Sequence, residues 1–377
     1  MHKWYRQQWV STTILWLLLW LGAWLPTRWP VGIERYYSRG VYPPVSRVLR
    51  GLLGGLPFSL GDVLWGLLFL WLFVKLFNGM KALWKKAVSL KTIKAGARRL
   101  ITAGLWGWLV FQWCWGFNYY RLGSRQLFGI QPRPYTTAQV DTLVQVAINN
   151  LNRLCADTTK LEQSFTIQRK ALAIQAQASY NSASHQWPFL QFRRSSLKPH
   201  LIGRLQSYTG YAGYINPFTQ EAQVNFYMPR FELPFTVCHE MAHQLGFGSE
   251  SEANWIGFMA CRSSASIAFA YSGYYQTTLY ALSQLFTMDS TLAAQRKEQL
   301  PPVFLKHYAE MKAFGQAHQN PAQPFLNRLY DGYLRTQNQP EGVATYNQMV
   351  AWQIAYAQVY GWESLNWVGP AKTGLAE

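Results

Sequence analysis

Three long apolar segments dominate the first third of the chain, at residues 9–26, 58–77 and 100–117. Each approaches the about 20 residues that a helix needs to cross the hydrocarbon core of a bilayer. Their tryptophans are typical of the aromatic belts at membrane interfaces. Buried core helices are the alternative, but three nearly uncharged segments so close together are unusual in a soluble domain. The pattern therefore predicts an α-helical transmembrane region with three spans over residues 1–119.

From residue 120 onward the apolar positions become periodic, as in a soluble domain. Residues 137–155 predict an amphipathic helix. Its apolar stripe consists of Val140, Leu143, Val144, Ala147 and Leu151. Gly, Pro and Asn around short alternating segments predict a hairpin at 209–229, and the chain after Pro234 is mainly helical apart from a break at 319–324. Residues 120–377 are thus expected to form one mainly α, α+β domain.

Composition supports this division of the chain. It is 49% hydrophobic, 16% aromatic and only 14% charged, which excludes a disordered protein. Of the net charge of +18, residues 1–119 carry +13 and residues 120–377 only +5. Nucleic-acid recognition draws on clustered Lys and Arg, so the nearly balanced soluble region predicts no nucleic-acid partner.

Basic residues also predict the orientation of the spans. Residues 78–99 carry seven Lys and Arg and no acid, which marks a cytoplasmic loop by the positive-inside rule. The N-terminus then also lies in the cytoplasm, and the domain after the third span lies outside it. The segment between the first two spans carries five Arg, which runs against the same rule.

The motif that carries chemistry is H-E-x-x-H, formed by His239, Glu240 and His243. On a helix the two histidines lie on one face, so both imidazoles can bind one Zn²⁺. Glu240 can then act as general base on a zinc-bound water. Pro234 in the first turn and Gly246 after the last turn are expected to bound this helix.

A catalytic zinc site needs a third protein ligand and an open position. Glu250 and Glu252 are the candidates, and Ser249 before them predicts the N-cap of a second helix. The stretch from Glu250 to Asn254 resembles the E-x-E-A-D segment of HtpX-type and prenyl-processing membrane metallopeptidases. The resemblance implies Glu250 as the ligand and Asn254 as the support of a ligand histidine. Asn replaces Asp here, and the gap from His243 is much shorter than in those families, so Glu252 remains an alternative ligand.

Further site residues are predicted on both sides of the motif. Residues 222–228 are expected to form an edge strand beside the metal helix that pairs with an extended peptide. Tyr330 and Tyr333 are candidate donors to the oxyanion of a tetrahedral intermediate, with ordinary packing as the alternative for both. The remaining histidines, His307 among them, are expected at the surface.

The spans and motifs together resemble an uncharacterised family of bacterial membrane proteins, domain of unknown function 3810. The matching segments are WGFNYYR at 115–121, PFT at 217–219, HEMAHQLGF from His239, SESEAN from Ser249 and LYDGYL from Leu329. The resemblance implies a zincin-like, specifically gluzincin-like, metallopeptidase domain in a protein of the bacterial inner membrane.

We therefore expect a multi-pass protein embedded in the lipid bilayer, with an extracytoplasmic zinc metallopeptidase domain at 120–377. The two motif histidines would bind zinc with Glu250 or Glu252, and Glu240 would serve as general base. A peptide or protein would be the substrate. The alternative is a non-catalytic membrane scaffold or binding protein that keeps a structural metal site.

Overall fold

In the computed structural model, which describes residues 2–84, 89–342, 344 and 348–369, the protein is mostly helical with one small sheet. Lys85 and Lys86 of the predicted basic loop lie outside the described residues. The N-terminal part contains α1 (His2–Trp24), a π-helix (Ile33–Val41), α2 (Tyr42–Leu53), α3 (Leu60–Trp84) and α4 (Leu90–Cys114).

The described residues after 120 add ten longer helices and three strands. The helices are α5 (Thr137–Leu154), α6 (Thr158–Ser164), α7 (Arg169–Ser184), α8 (Leu233–Gln244), α9 (Glu250–Arg262), α10 (Ile267–Met288), α11 (Ser290–Lys297), α12 (Pro302–Ala317), α13 (Gln323–Thr336) and α14 (Met349–Tyr360). The strands are β1 (Leu197–Pro199), β2 (Gly213–Ile215) and β3 (Ala222–Val224). Short α-helical turns occupy Pro30–Gly32, Ser124–Leu127 and Gly203–Gln206.

Two helical stretches of the described chain are long and apolar enough to cross a membrane, Val10–Arg28 and Leu60–Ala82. Their large apolar side chains are mostly exposed, such as Leu70 and Phe73 on α3, instead of forming a protein core. The third predicted span overlaps α4 over residues 100–114, and its last three residues lie beyond the end of the helix. Helix α4 is less apolar than the other two stretches, because its first half contains four basic residues, namely Lys91, Lys94, Arg98 and Arg99.

The core of the part of the chain after residue 120 forms around α10, which packs against α5, α9 and α14. The predicted amphipathic helix is confirmed as α5, and every residue of its predicted apolar stripe is buried. The predicted break is also confirmed, because α12 ends at Ala317 and α13 begins at Gln323.

The sheet has the strand order β1-β3-β2, with β1 parallel and β2 antiparallel to β3. The predicted hairpin is confirmed as β2 and β3, in the register Gly213↔Val224. The prediction of an edge strand at 222–228 is wrong, because β3 pairs on both sides and the chain leaves the sheet after Val224. The missed partner is β1, a three-residue strand too short for its pattern to be recognised. Within the described sheet both β1 and β2 are edge strands, and β2 is the one that passes beside Glu240.

The segment between α1 and α3 packs against the soluble part instead of forming an open loop. Its π-helix continues directly into α2, where Pro43 and Pro44 lack the amide hydrogens of a regular helix. The ammonium group of Lys198 in β1 donates hydrogen bonds to the carbonyl oxygens of Leu53 at 2.9 Å and Gly54 at 3.0 Å, at the end of α2.

A carboxylate of the soluble part caps the first turn of α3. Glu221 accepts hydrogen bonds from the backbone N–H groups of Leu60 at 3.2 Å and Gly61 at 2.7 Å. These donors have no partner within the helix, and the negative charge complements the positive end of the helix dipole. The start of the apolar helix α3 is therefore fixed to the sheet.

A buried ion pair completes this attachment. Arg121 Nε and Nη2 donate to the two carboxylate oxygens of Glu34 at 2.8 and 2.7 Å, and Arg121 Nη1 donates to the carbonyl of Gly246 at 2.9 Å. Both side chains are almost fully buried. Burial alone would raise the pKa of Glu34, but Arg121 holds it below the usual value. The pair thus links the π-helix to the turn after α8.

We expect Glu34→Gln to lower the free energy of unfolding by about 3–5 kcal/mol, because it leaves the Arg121 charge buried and uncompensated. The double variant with Arg121→Met should lose less than Glu34→Gln alone. Denaturant unfolding of the purified protein in detergent measures both. The exposed pair Arg335–Asp331 provides the control Arg335→Gln, which should cost less than about 1 kcal/mol. Equal losses in Glu34→Gln and Arg335→Gln would contradict the assignment.

Candidate metal centre

Helix α8 places both motif histidines on one face. Pro234 occupies its first turn, and Gly246 after its end has φ of +86°, a left-handed conformation that glycine adopts without strain. The rings of His239 and His243 lie one turn apart, with centroids separated by 4.8 Å. Both side chains are buried.

Helix α9 brings the third group to these imidazoles. Glu250 is its first residue, and Glu250 Oε2 lies 3.1 Å from His239 Nε2 and 3.4 Å from His243 Nε2. One ligand atom from each of the three residues lies within 4.8 Å of the others. Gly257 permits this close packing, since a Cβ there would lie only 3.1 Å from the backbone nitrogen of His239.

The other candidate acid, Glu252, is directed elsewhere. Its Oε1 accepts a hydrogen bond from the backbone N–H of Ser124 at 2.6 Å, and its carboxylate lies against Gly123. Glu250 and Glu252 are two residues apart on α9, and residues with this spacing do not share a helix face. The structure therefore places Glu250, and not Glu252, beside the two histidines.

The second ring nitrogen of each histidine contacts an oxygen. His239 Nδ1 lies 2.7 Å from Asn254 Oδ1, and His243 Nδ1 lies 2.7 Å from the carbonyl oxygen of Phe247. Because a carbonyl oxygen only accepts hydrogen bonds, Nδ1 of His243 carries the hydrogen. In neutral His243 the Nε2 lone pair then faces the Glu250 carboxylate, so positive charge between them, from a proton or a metal ion, stabilises the pair. The donor set therefore fits a metal ion.

The charged groups of the cluster shift one another's pKa values. Burial would raise the pKa of Glu250, but the two imidazoles hold it well below the usual value. Burial would lower the pKa of His243, but the Glu250 carboxylate raises it to about 9. The cluster is thus an electronegative pocket that attracts positive charge.

Glu240 lies next to this cluster without a hydrogen-bond partner for its Oε2 among the described residues. Its side chain is buried, and burial raises its pKa to about 7. Gly213 of the edge strand β2 passes directly over it, since a Cβ at Gly213 would lie 2.6 Å from Glu240 Oε1. A carboxylate with a pKa near neutrality and a free oxygen is suited to exchange protons.

Helix α13 contributes both predicted tyrosines to the same place. Tyr330 donates a hydrogen bond to Glu250 Oε1 at 3.0 Å, and the hydroxyl of Tyr333 lies 3.1 Å from that of Tyr119. All three tyrosines line a cavity of about 260 Å³ together with the histidines, Glu240 and Glu250. Sequence reasoning assigned no role to Tyr119, although it belongs to the WGFNYYR segment. Its place in this family segment was the signal from which a role for Tyr119 could have been predicted.

A second cavity of about 550 Å³ opens on the other side of His239 and Glu240. Glu232 and Gln276 line it, and the amide nitrogen of Gln276 donates a hydrogen bond to Glu232. Burial raises the pKa of Glu232 to about 7. Sequence reasoning also missed this acid, which stands one residue before α8 and belongs to no motif.

The surface prediction for the remaining histidines is wrong for His307, which is only 2% exposed. Its ring stacks on Phe231 with centroids 4.2 Å apart, and its Nδ1 lies 2.7 Å from the hydroxyl of Tyr271. Residue type alone suggested exposure, whereas aromatic packing against α10 buries the imidazole. His307 takes no part in the metal centre.

Comparison with known proteins gives a family but no activity. A family model described as a protein of unknown function (DUF3810) matches residues 37–354, and the chain belongs to this family. No curated protein and no solved structure matches the chain.

We expect Glu250→Gln to weaken zinc binding by at least about 100-fold, more than the loss of an outer-sphere contact, because it removes an ionised ligand. Glu252→Gln is the matched control, since glutamine keeps an oxygen for the Ser124 N–H and should leave the zinc content unchanged. Elemental analysis of the purified variants measures both. Retained zinc in Glu250→Gln with loss in Glu252→Gln would reverse the ligand assignment.

Proposed function

We propose that the protein is a membrane-anchored zinc metallopeptidase that hydrolyses peptide bonds. The observation that carries this proposal is the convergence of His239, His243 and Glu250 beside the unpartnered carboxylate of Glu240, at the wall of a cavity. A helix with the motif beside a small sheet with a free edge also agrees with the zincin-like fold expected from the sequence.

Two imidazoles and one carboxylate form a ligand set typical of catalytic zinc, which leaves a fourth position open. Zinc at such a site supplies Lewis acidity and a nucleophilic water at neutral pH. Asn254 and the Phe247 carbonyl fix the ring orientations of the two histidines. The Tyr330 hydroxyl similarly orients the carboxylate of Glu250.

The remaining residues of the site have separate roles. Glu240 takes a proton from the attacking water on its free Oε2 and later passes it to the leaving amine. Tyr333 and Tyr119 present a coupled pair of hydroxyls to the cavity. They are the donors available to the carbonyl oxygen of the scissile peptide as negative charge develops on it.

The substrate is proposed to be a peptide or a segment of a protein. The free edge of β2 passes beside Glu240, where an extended chain can add to the sheet through main-chain hydrogen bonds. Gly213 lets that chain approach the carboxylate, because a side chain there would occupy the space. The cavities on both sides of His239 then accept side chains of the substrate.

For the membrane region we propose three spans, with α4 as the third. Helix α4 packs along α1, where Trp16 Nε1 donates to Thr102 Oγ1 at 2.8 Å. The second half of α4 exposes large apolar side chains, including Trp106, Val110 and Trp113. The basic residues at its start then remain in the cytoplasm, and the metal centre lies on the opposite side of the bacterial inner membrane.

We expect Glu240→Gln to retain zinc and to lower the rate of peptide hydrolysis by about 10²–10⁴-fold, because it removes the proton acceptor. Cleavage of a peptide library followed by mass spectrometry measures the rate. His239→Ala should lose both zinc and activity, whereas Glu298→Gln, an exposed acid outside the cavity, should retain both. A wild-type protein that binds zinc but cleaves no peptide would instead support the non-catalytic scaffold.

Reporter fusions test the orientation separately. Alkaline phosphatase is active only outside the cytoplasm, so a fusion after Val368 should be active and a fusion after Trp84 inactive. Green fluorescent protein at the same two positions should give the opposite pattern. Two fusions with the same activity would show that α4 does not cross the membrane.

A further inference from the structure

A line of arginines follows one face of the π-helix and α2. One side of the continuous helix carries three arginines and a proline spaced by three or four residues, namely Arg39, Pro43, Arg47 and Arg50. Along this side the exposure falls from Arg39, which is exposed, through the half-buried Arg47 to the buried Arg50. Together with Arg121 and Arg193 of the soluble part, these arginines line a cavity of about 420 Å³.

The deepest of these residues is Arg50, which is only 4% exposed. Its Nε donates to the carbonyl of Ser46 at 3.2 Å, and its guanidinium lies over the ring of Phe192 at 4.7 Å. Its Nη1 has no hydrogen-bond partner among the described residues. Buried arginines are rare unless they are paired with an acid, so this donor group lacks the partner that its burial requires.

No carboxylate inside the cavity supplies that partner. Asp and Glu are missing from its lining among the described residues, and the adjacent Glu34 already binds Arg121 with both oxygens. A neighbouring cavity of about 430 Å³ shares Arg47 and Arg193 and adds Arg194. The guanidinium groups therefore accumulate positive charge without compensation from the protein.

We propose that this arginine cavity, lined by Arg39, Arg47, Arg50 and Arg193, binds a phosphate group. Guanidinium groups match phosphate oxygens with paired hydrogen bonds. Arg47 and Arg50 donate from Nε to backbone carbonyls, but the lining offers none of the four arginines a carboxylate among the described residues. Pro43, Phe189 and Phe247 form the apolar part of the lining and can contact the uncharged part of a larger ligand. The phosphate belongs to a lipid headgroup or to a soluble molecule.

The position of the cavity agrees with either source of phosphate. Helix α2 lies in the segment that joins the two candidate membrane helices, so a headgroup can reach it from the bilayer surface. On the protein side, Gln244 and Phe247 at the end of α8 also line the cavity. The site is separate from the metal cluster, and its existence does not depend on peptidase activity.

The first experiment uses the full-length protein in detergent and titrates it with inorganic phosphate at constant ionic strength, with chloride as the control anion. The thermal midpoint should rise with phosphate in a saturable way. A second arm places the protein in nanodiscs of digalactosyldiacylglycerol, a lipid without phosphate, with or without phosphatidylglycerol, and measures bound lipid by native mass spectrometry. A response to free phosphate supports a soluble ligand, and retained phosphatidylglycerol alone supports a lipid headgroup.

Variants decide whether the arginine cavity is responsible. Arg47→Gln and Arg193→Gln should each weaken binding about tenfold, as expected for the loss of one hydrogen bond to a charged group. Arg35→Gln is the matched control, because Arg35 lies on the same segment, stacks on Tyr36 and lies outside the cavity lining. Arg50 is left intact, since its stacking on Phe192 also supports folding.

Two results would overturn the proposal. One is the absence of any saturable effect of phosphate together with no preference for phosphatidylglycerol. The other is equal binding by Arg47→Gln, Arg193→Gln and Arg35→Gln, which would mean that general surface charge is responsible.

Discussion

The metal centre depends on one electrostatic constraint, the burial of the Glu250 carboxylate between two imidazoles. A buried carboxylate costs several kcal/mol unless nearby positive charge compensates for it. The contacts of His239 with Asn254 and of His243 with the Phe247 carbonyl direct both Nε2 atoms at the same carboxylate oxygen. One divalent cation satisfies all three groups together, whereas a single proton serves only one contact. The arrangement therefore suits a metal ion, and the adjacent Glu240 has no hydrogen-bond partner for its Oε2 among the described residues.

This constraint extends to the segment between the apolar helices. The turn between α8 and α9 positions Glu250. Residues of the segment between α1 and α3 contact this turn and hold it in place. The Tyr42 hydroxyl donates to Gln220 Oε1 at 2.6 Å and lies 3.2 Å from the carbonyl oxygen of His243, and Arg121 joins Glu34 to the carbonyl of Gly246. The N-terminal segment therefore helps to hold Glu250 of the candidate metal centre in place, besides joining the two candidate membrane helices.

The elements that sequence reasoning predicts well are those set by local rules. The apolar period of α5, the proline and glycine that bound α8, and the N-cap position of Ser249 each follow from neighbouring residues. The two histidines are placed on one helix face by the same local geometry. Glu250 and Glu252 could not be distinguished in this way, since the choice depends on how α9 crosses α8 at Gly257. Tertiary contacts also decide the central position of β3 and the burial of His307, which no local pattern indicates.

The five arginines between the first two apolar helices illustrate the same limit. Counted along the sequence, they oppose the orientation that the basic residues at 78–99 indicate. In the structure they are not an open basic loop, because Arg28 and Arg35 stack on aromatic rings while Arg39, Arg47 and Arg50 line a cavity. Arginines that line a cavity of the folded protein serve a local requirement for charge, so their number is a poor measure of topology. The residues at the start of α4, which line none of the cavities described above, then carry the stronger signal for the cytoplasmic side.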